Sequence, residues 1–337
     1  MMRTSLAMRS LTITLALACG LSGMARAGVD EALSRHVLPG FGAFAESSAA
    51  LAASAKEDCR AEALKPAYHA AYDAWMGVSH LHLGPLEQGG RALAIAFWPD
   101  TRGMVGRTVA GLVADADPVV DSAEDFADVS VAGRGLMALE RLLYEPHLAG
   151  YGKGDYQCRL ARAISVDLAR MAREMDEEWP DFAGLLRSAG APGNDVFLKP
   201  EEASQALYTA LMSGLEFNRD QRLGRVMGSF ERPRPNRAEA RRSERSLRNV
   251  VLSLEALRDM ARALADGPME DSEAAFAQAL ERAEALDDPV LAGVATPQGR
   301  LKVEVLAQEI RRIEEAVAQE IGVALGVTAG FNSQDGD

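Results

Sequence analysis

The residue best placed to do chemistry in this 337-residue chain is Glu140. It sits in Leu136-Met137-Ala138-Leu139-Glu140-Arg141-Leu142-Leu143, a carboxylate within an apolar helical stretch. Such a group can pass a proton or ligate a cation. If buried, it needs a cation or hydrogen-bond donors as partners. Met137 lies three residues earlier, and side chains three apart share a helix face. A thioether holds no proton and binds hard or borderline divalent cations poorly. The alternative is a structural Glu140, salt-bridged for example to Arg91, Arg134 or Arg245.

A second candidate group is Ser79-His80-Leu81-His82-Leu83-Gly84-Pro85-Leu86-Glu87. Positions two apart face apart on a helix but together in an extended stretch. His80, His82 and Glu87 could therefore serve one site, holding a divalent or ferric ion. The bland alternative is that histidines near a helix C-terminus cap carbonyls and favour the dipole. His36, His69 and His147 are isolated and read as structural. Phosphate loops, His-Glu-x-x-His, Gly-x-Ser-x-Gly and Cys-x-x-Cys are absent from the sequence, which removes the commonest nucleotide, zincin, hydrolase and dithiol chemistries.

The elements that must position these residues are helices. Alanine and leucine recur at helical spacing, and β-branched alternation is missing. Helices are expected over Asp30–Ala53 (bent or interrupted around Pro39-Gly40), Ala61–His80, Arg102–Ala114, Ser130–Tyr144 and Asp155–Ser188 (with a break at Trp179-Pro180 as an alternative to one long helix). Leu83–Asp100 reads as loop. Gly190-Ala191-Pro192-Gly193-Asn194-Asp195 is the strongest break in the chain. Beyond it, helices are expected over Glu201–Val226, Arg237–Asp266, Asp271–Leu286 and Thr296–Leu325. The fold class is therefore all-α, two packed bundles of about four helices each, over 28–190 and 196–337.

Met1–Ala27 reads as a signal peptide. Arg3 and Arg9 precede an apolar run from Leu11 to Leu21, and Ala25-Arg26-Ala27 is a small-x-small cleavage site. The run is too short to span a bilayer, and no later segment qualifies. The rival reading is a lipoprotein acylated at Cys19, but Ala16 stands where such signals usually carry Leu. The expected product is exported, with no transmembrane span. Formal charge over the full chain is −13, and the leader removes only basic residues, so the mature protein is more acidic still. That argues against nucleic acid as partner. Cys59 and Cys158 would survive cleavage, and an even pair in an oxidising compartment is a disulfide candidate. Two free, buried thiols are the alternative.

Gly135-Leu136-Met137-Ala138-Leu139-Glu140 resembles the imelysin signature Gly-x-His-x-x-Glu, with Met137 in place of the histidine. Phe331-Asn332-Ser333-Gln334-Asp335-Gly336-Asp337 resembles the closing segment of imelysin-like proteins. Phe97-Trp98-Pro99-Asp100-Thr101-Arg102-Gly103 and Arg245-Ser246-Leu247-Arg248-Asn249-Val250 resemble further segments of one branch of that family. The resemblance runs from about Asp30 to Asp337. It implies a helical exported protein linked to iron regulation or uptake, with some relatives classed as peptidases. The missing histidine points to a non-enzymatic protein that binds a metal ion, metal chelate or envelope partner between two bundles. The alternatives are an imelysin-type peptidase rescued by another histidine and a structural envelope protein. Glu140 is expected to face an interbundle cavity, with His80 and one or more of Arg91, Arg245 and Arg248 nearby.

Overall fold

The structure is a computed structural model that describes residues 28–327. The leader, Cys19 and the segment Phe331–Asp337 lie outside the described residues. Those described form an all-α protein, with no β-ladder beyond one isolated bridge between Ser229 and Arg232. The helices of the first half are α1 (Leu38–Glu57), α2 (Ala61–Val78), α3 (Arg91–Ile95), α4 (Met104–Asp115), α5 (Ala123–Ala127), α6 (Gly135–Tyr144) and α7 (Tyr156–Arg187). The second half contributes α8 (Pro200–Glu216), α9 (Ser246–Leu264), α10 (Glu270–Glu284) and α11 (Pro297–Val317). No helix among the described residues is long and apolar enough to cross a membrane.

Helices α1, α2, α6 and α7 pack on one another, and so do α8, α9, α10 and α11. The two sets meet chiefly where α2 lies against α9. Each helix turns an apolar stripe inward: Leu64, Tyr68, Tyr72, Trp75 and Met76 on α2 are all buried, as are Val250, Leu254, Leu257 and Met260 on α9. Cys59 and Cys158 are joined by a disulfide across 99 residues, with Cα atoms 5.1 Å apart. It pins the start of α7 to the α1–α2 connection.

Two expected interruptions are not there, two expected helices (from Ser130 and from Arg237) start later, and the expected loop Leu83–Asp100 carries α3. Residues 28–57 form continuous helix, because Leu33–Val37 widens to π geometry just before Pro39, with Leu38 N–H donating to Leu33 O. The wider turn accommodates the missing proline donor without breaking the helix. Helix α7 continues unbroken through Pro180. There the fully buried Trp179 stacks on Phe41 of α1 at 4.9 Å and meets Phe182 edge-on, so tertiary packing overrides the local penalty. In the second half, a 3-10 turn ends at Arg237, 238–245 is not helix, and α9 begins at Ser246.

Candidate functional site

Helix α6 opens on Gly135, whose backbone is left-handed at φ +66°. A Cβ there would stand 2.1 Å from Ala94 O and 2.3 Å from Ile95 O of α3, so only glycine lets the two helices meet. Beside it, buried Arg134 makes a two-pronged pair with Asp167 of α7, at 2.8 and 3.1 Å. These two features fix the register of α6 and hence the direction of Met137 and Glu140.

Glu140 is 1 % exposed and reaches the second half of the chain. Its Oε1 accepts the Ser243 backbone N–H at 3.0 Å and the Ser243 hydroxyl at 2.8 Å. Burial raises its pKa; the two Ser243 bonds and the charges of Arg242 and Arg141 oppose the rise without cancelling it. Arg242 is the nearest cation, its Nη1 4.0 Å from Oε2. Arg91, Arg134 and Arg245, the sequence candidates for that role, are all engaged elsewhere. Met137 is 8 % exposed and receives the Tyr72 hydroxyl at 3.5 Å on its sulfur. Burial, together with Glu239 and Glu140, pushes the Tyr72 pKa well up, so this hydroxyl keeps its proton and donates.

The remaining sequence candidates fall into separate places. Arg91 ties the 84–95 segment to α7 through Glu178, at 2.5 and 2.7 Å, and Glu174 at 3.3 Å. Arg245, 1 % exposed, crosses from α9 to α2. It donates to Asp73 at 2.5 Å and to His69 Nδ1 at 2.8 Å, and lies over the Tyr72 ring at 4.7 Å. Because a guanidinium can only donate, His69 Nδ1 must be the acceptor; its proton sits on Nε2, 2.7 Å from the Tyr144 oxygen. Burial and Arg245 lower the His69 pKa and keep it neutral. Arg248 completes the tie with two bonds to Asp73, at 2.9 and 2.5 Å. Arg245 and Arg248 join the bundles and Arg91 ties the first half to itself, and none of the three pairs with Glu140.

His80, 4 % exposed, meets His36 with their Nε2 atoms 3.1 Å apart, while His82 and Glu87 are exposed. His80 and Glu140 line different cavities, and no hydrogen bond or ion pair among the described residues joins them. Among the described residues no three His, Cys, Asp or Glu side chains stand close enough to hold a metal ion. His80, His82 and Glu87 therefore do not form a ligand set, and neither does Glu140 with any partner.

Two cavities lie at the junction. The smaller, about 150 Å³, is lined by Met137, Glu140, the 97–101 loop and four arginines: Arg141, Arg225, Arg237 and Arg242. Arg141 and Arg242 both bind Glu145, the latter at 2.6 Å. Among the described residues the Arg225 guanidinium hydrogen-bonds only Gln221, at 3.3 Å, and forms no ion pair; nor does exposed Arg237 form one. Burial and then the Arg237 charge lower the Arg225 pKa. The larger cavity, about 480 Å³, is lined by Trp75, His80, Phe217, Arg222 and Glu239 among others, and shares Trp98 and Pro99 with the first.

Sequence reasoning missed Ser243, Arg242, Arg222 and Glu239. All but Arg222 lie in 237–245, a run of charged helix formers that reads as helix. Ala240 at φ +45° and Glu244 at φ +58° break it into turns. Left-handed backbone at residues other than glycine costs energy and persists where surrounding contacts demand it. Here the demand is the placement of Ser243 against Glu140.

An all-α protein of two packed bundles, with a buried carboxylate at their junction, is the class that fold and site define. The Imelysin family model (Peptidase_M75) matches residues 37–317, and the chain belongs to that family. Among solved structures, the crystal structure of an imelysin-like protein from Psychrobacter arcticum 273-4 superposes with a TM-score of 0.73. It is 18 % identical, and the match covers 96 % of this chain and 100 % of that one, which makes it a likeness of fold. No curated protein matches the chain.

Proposed function

We propose that this protein is an exported, non-catalytic binding protein whose signature cavity takes an anionic, carboxylate-bearing ligand of the metal-chelate type. One observation carries the reading: four arginines line a cavity whose buried carboxylate is already satisfied by Ser243. Asp100, the cavity's other acid, caps α4 through the Met104 and Val105 amides at 2.8 and 2.9 Å. Arg225 and Arg237 are left to meet charge from outside, and guanidinium forks suit carboxylates. A bare metal ion fits poorly, because Met137 replaces the signature histidine and no ligand set converges there. A chelate that brings its own ligands needs none from the protein. The leader supports export, and the family resemblance supports an association with iron.

The test is a calorimetric titration of chelator-stripped protein with citrate, ferric citrate and zinc or ferric ion alone. Both citrate forms should bind and the bare ions should not. Arg225→Ala with Arg237→Ala should weaken citrate binding by at least about tenfold, the worth of a charged hydrogen bond. Tight binding of a bare ion, or citrate binding indifferent to the double substitution, would sink the proposal.

A further inference from the structure

The larger cavity carries a charge that the signature site does not use. Its volume, about 480 Å³, is within the range of small-molecule sites. Separate elements build it: Trp75 from α2, Ala206 from α8 with Phe217 just beyond, and Glu87, Leu93 and Trp98 from the chain that leads into and out of α3. That chain begins with a 3-10 turn, Gly84–Gly90. The turn ends on Gly89 and Gly90, left-handed at φ +58° and +70°, which let the backbone swing into α3. Glu87 lies in the turn, exposed, at the rim of the cavity.

The lining keeps one negative charge in surplus. Arg222 and Glu239 answer each other at 2.8 Å. Glu87 has no ion pair among the described residues, and Arg91, four positions along, is spent on Glu178 and Glu174. The histidines of the lining do not neutralise Glu87 either. Burial holds the His80 pKa well below 6.5. At His82, whose surface is exposed, the protein packed around the ring lowers the pKa more than the Glu87 carboxylate raises it. Both rings are therefore uncharged at neutral pH.

The walls beside this charge are aromatic. Aromatic faces attract cations, indole most strongly. Phe217 already does so, with the Arg222 guanidinium 4.9 Å from its ring centre. Trp98 stands edge-on to Phe217 at 5.8 Å and is half-buried, and Trp75 is buried. Leu93, 52 % exposed, adds an apolar lip. An anion entering here meets a carboxylate, and a neutral molecule leaves that carboxylate unanswered. A bare metal ion gains nothing from apolar walls and finds no ligand set.

We propose that this cavity is a second, separate binding site, for an organic ammonium ion whose apolar substituents pack on the aromatic walls and whose charge is balanced by Glu87.

Equilibrium dialysis of the purified protein at low ionic strength tests it, with benzyltrimethylammonium as the cation and neopentylbenzene as its uncharged isostere. The cation should bind saturably at one site per chain, about tenfold tighter than the isostere, the scale of a desolvated cation over an aromatic face. Glu87→Gln should weaken the cation by about fivefold, the upper range for an exposed charge pair, and leave neopentylbenzene unmoved. Ala206→Trp, on a half-buried position of α8 that lines the cavity, should abolish binding of the cation. Should that variant fail to fold, Glu87→Gln, at an exposed position, still decides. No saturable binding of the cation, no preference for it over the isostere, indifference to Glu87→Gln, or binding that survives Ala206→Trp would overturn the proposal.

Discussion

The two cavities share a wall of Trp98 and Pro99, yet they handle charge in opposite ways. Around the larger one, every guanidinium has its carboxylate: Arg222 with Glu239, and nearby Arg245 and Arg248 with Asp73. Around the smaller one, Arg225 and Arg237 have none, and the one buried acid is answered by neutral donors of Ser243. Closed pairs make a rigid, neutral seam that can hold two bundles together. Open arginines make a surface suited to an anion. On the proposed reading, the same residue type serves structure on one side of the wall and recognition on the other, and only the partner distinguishes them.

The largest expected effect comes from opening a closed pair. Glu239→Ala leaves Arg222, with 5 % of its side chain exposed, without its carboxylate, and Asn249 without its acceptor at 3.0 Å. Removing one partner of a buried pair costs about 3–5 kcal/mol. The urea midpoint should fall accordingly. Arg237→Ala on the open side should change stability by no more than about 0.5 kcal/mol, as for an ordinary exposed residue. Similar losses at the two positions would erase the distinction between seam and recognition surface.

Acid should separate the cavities with opposite signs. Burial raises the folded pKa of Glu140 above the ordinary 4.5. Its stabilising contribution is therefore complete below that value and is lost as pH rises through the raised one. Burial lowers His36 to about 4 and His80 well below 6.5, so their contribution is present above 6.5 and lost as pH falls. Urea melts from pH 4 to 8 should show Glu140→Gln gaining on the unaltered protein as pH rises. His80→Phe should gain on it as pH falls. Parallel curves in either pair would remove the corresponding pKa shift from the account.

Much of the frame was legible in the sequence, since helical periodicity survives translation into packing. The stripe of α2 follows from local pattern, the pairing of Cys59 with Cys158 from an even count of cysteines behind an export signal, and a Glu140 reaching the other bundle from the resemblance to the imelysin signature. Prolines misled, because Pro39 and Pro180 look like breaks while a π turn and the buried Trp179 absorb them. The site's far wall was hidden for a deeper reason. Residues 237–245 favour helix by composition, and only tertiary demand puts Ala240 and Glu244 in left-handed turns. Arg245 and Arg248 were singled out, but the sequence could not show that Asp73 would claim both. Nor could it show that Arg225 and Arg237 would be left over.

The smallest effect expected is at the signature itself. Met137→His restores the imelysin pattern and places an imidazole one turn before Glu140, on the same face. A zinc site generally needs at least three protein ligands. The substitution would bring two, and Glu140 is already committed: Oε1 to both donors of Ser243, and Oε2 4.0 Å from Arg242. The Tyr72 hydroxyl, which meets Met137 sulfur at 3.5 Å, is placed to compete for the new nitrogen as well. Zinc affinity, measured by competition with a chromophoric chelator, should therefore change by less than about tenfold, the lower range of outer-shell effects on metal sites. Adding Ser243→Ala removes one of the two donors on Oε1 and gives a sharper reading. If the pair of substitutions binds zinc where Met137→His alone does not, Ser243 is what withholds Glu140 from metals. If Met137→His alone creates a tight one-to-one site, the carboxylate was free all along, and the small cavity is a metal centre short of one histidine rather than an anion pocket.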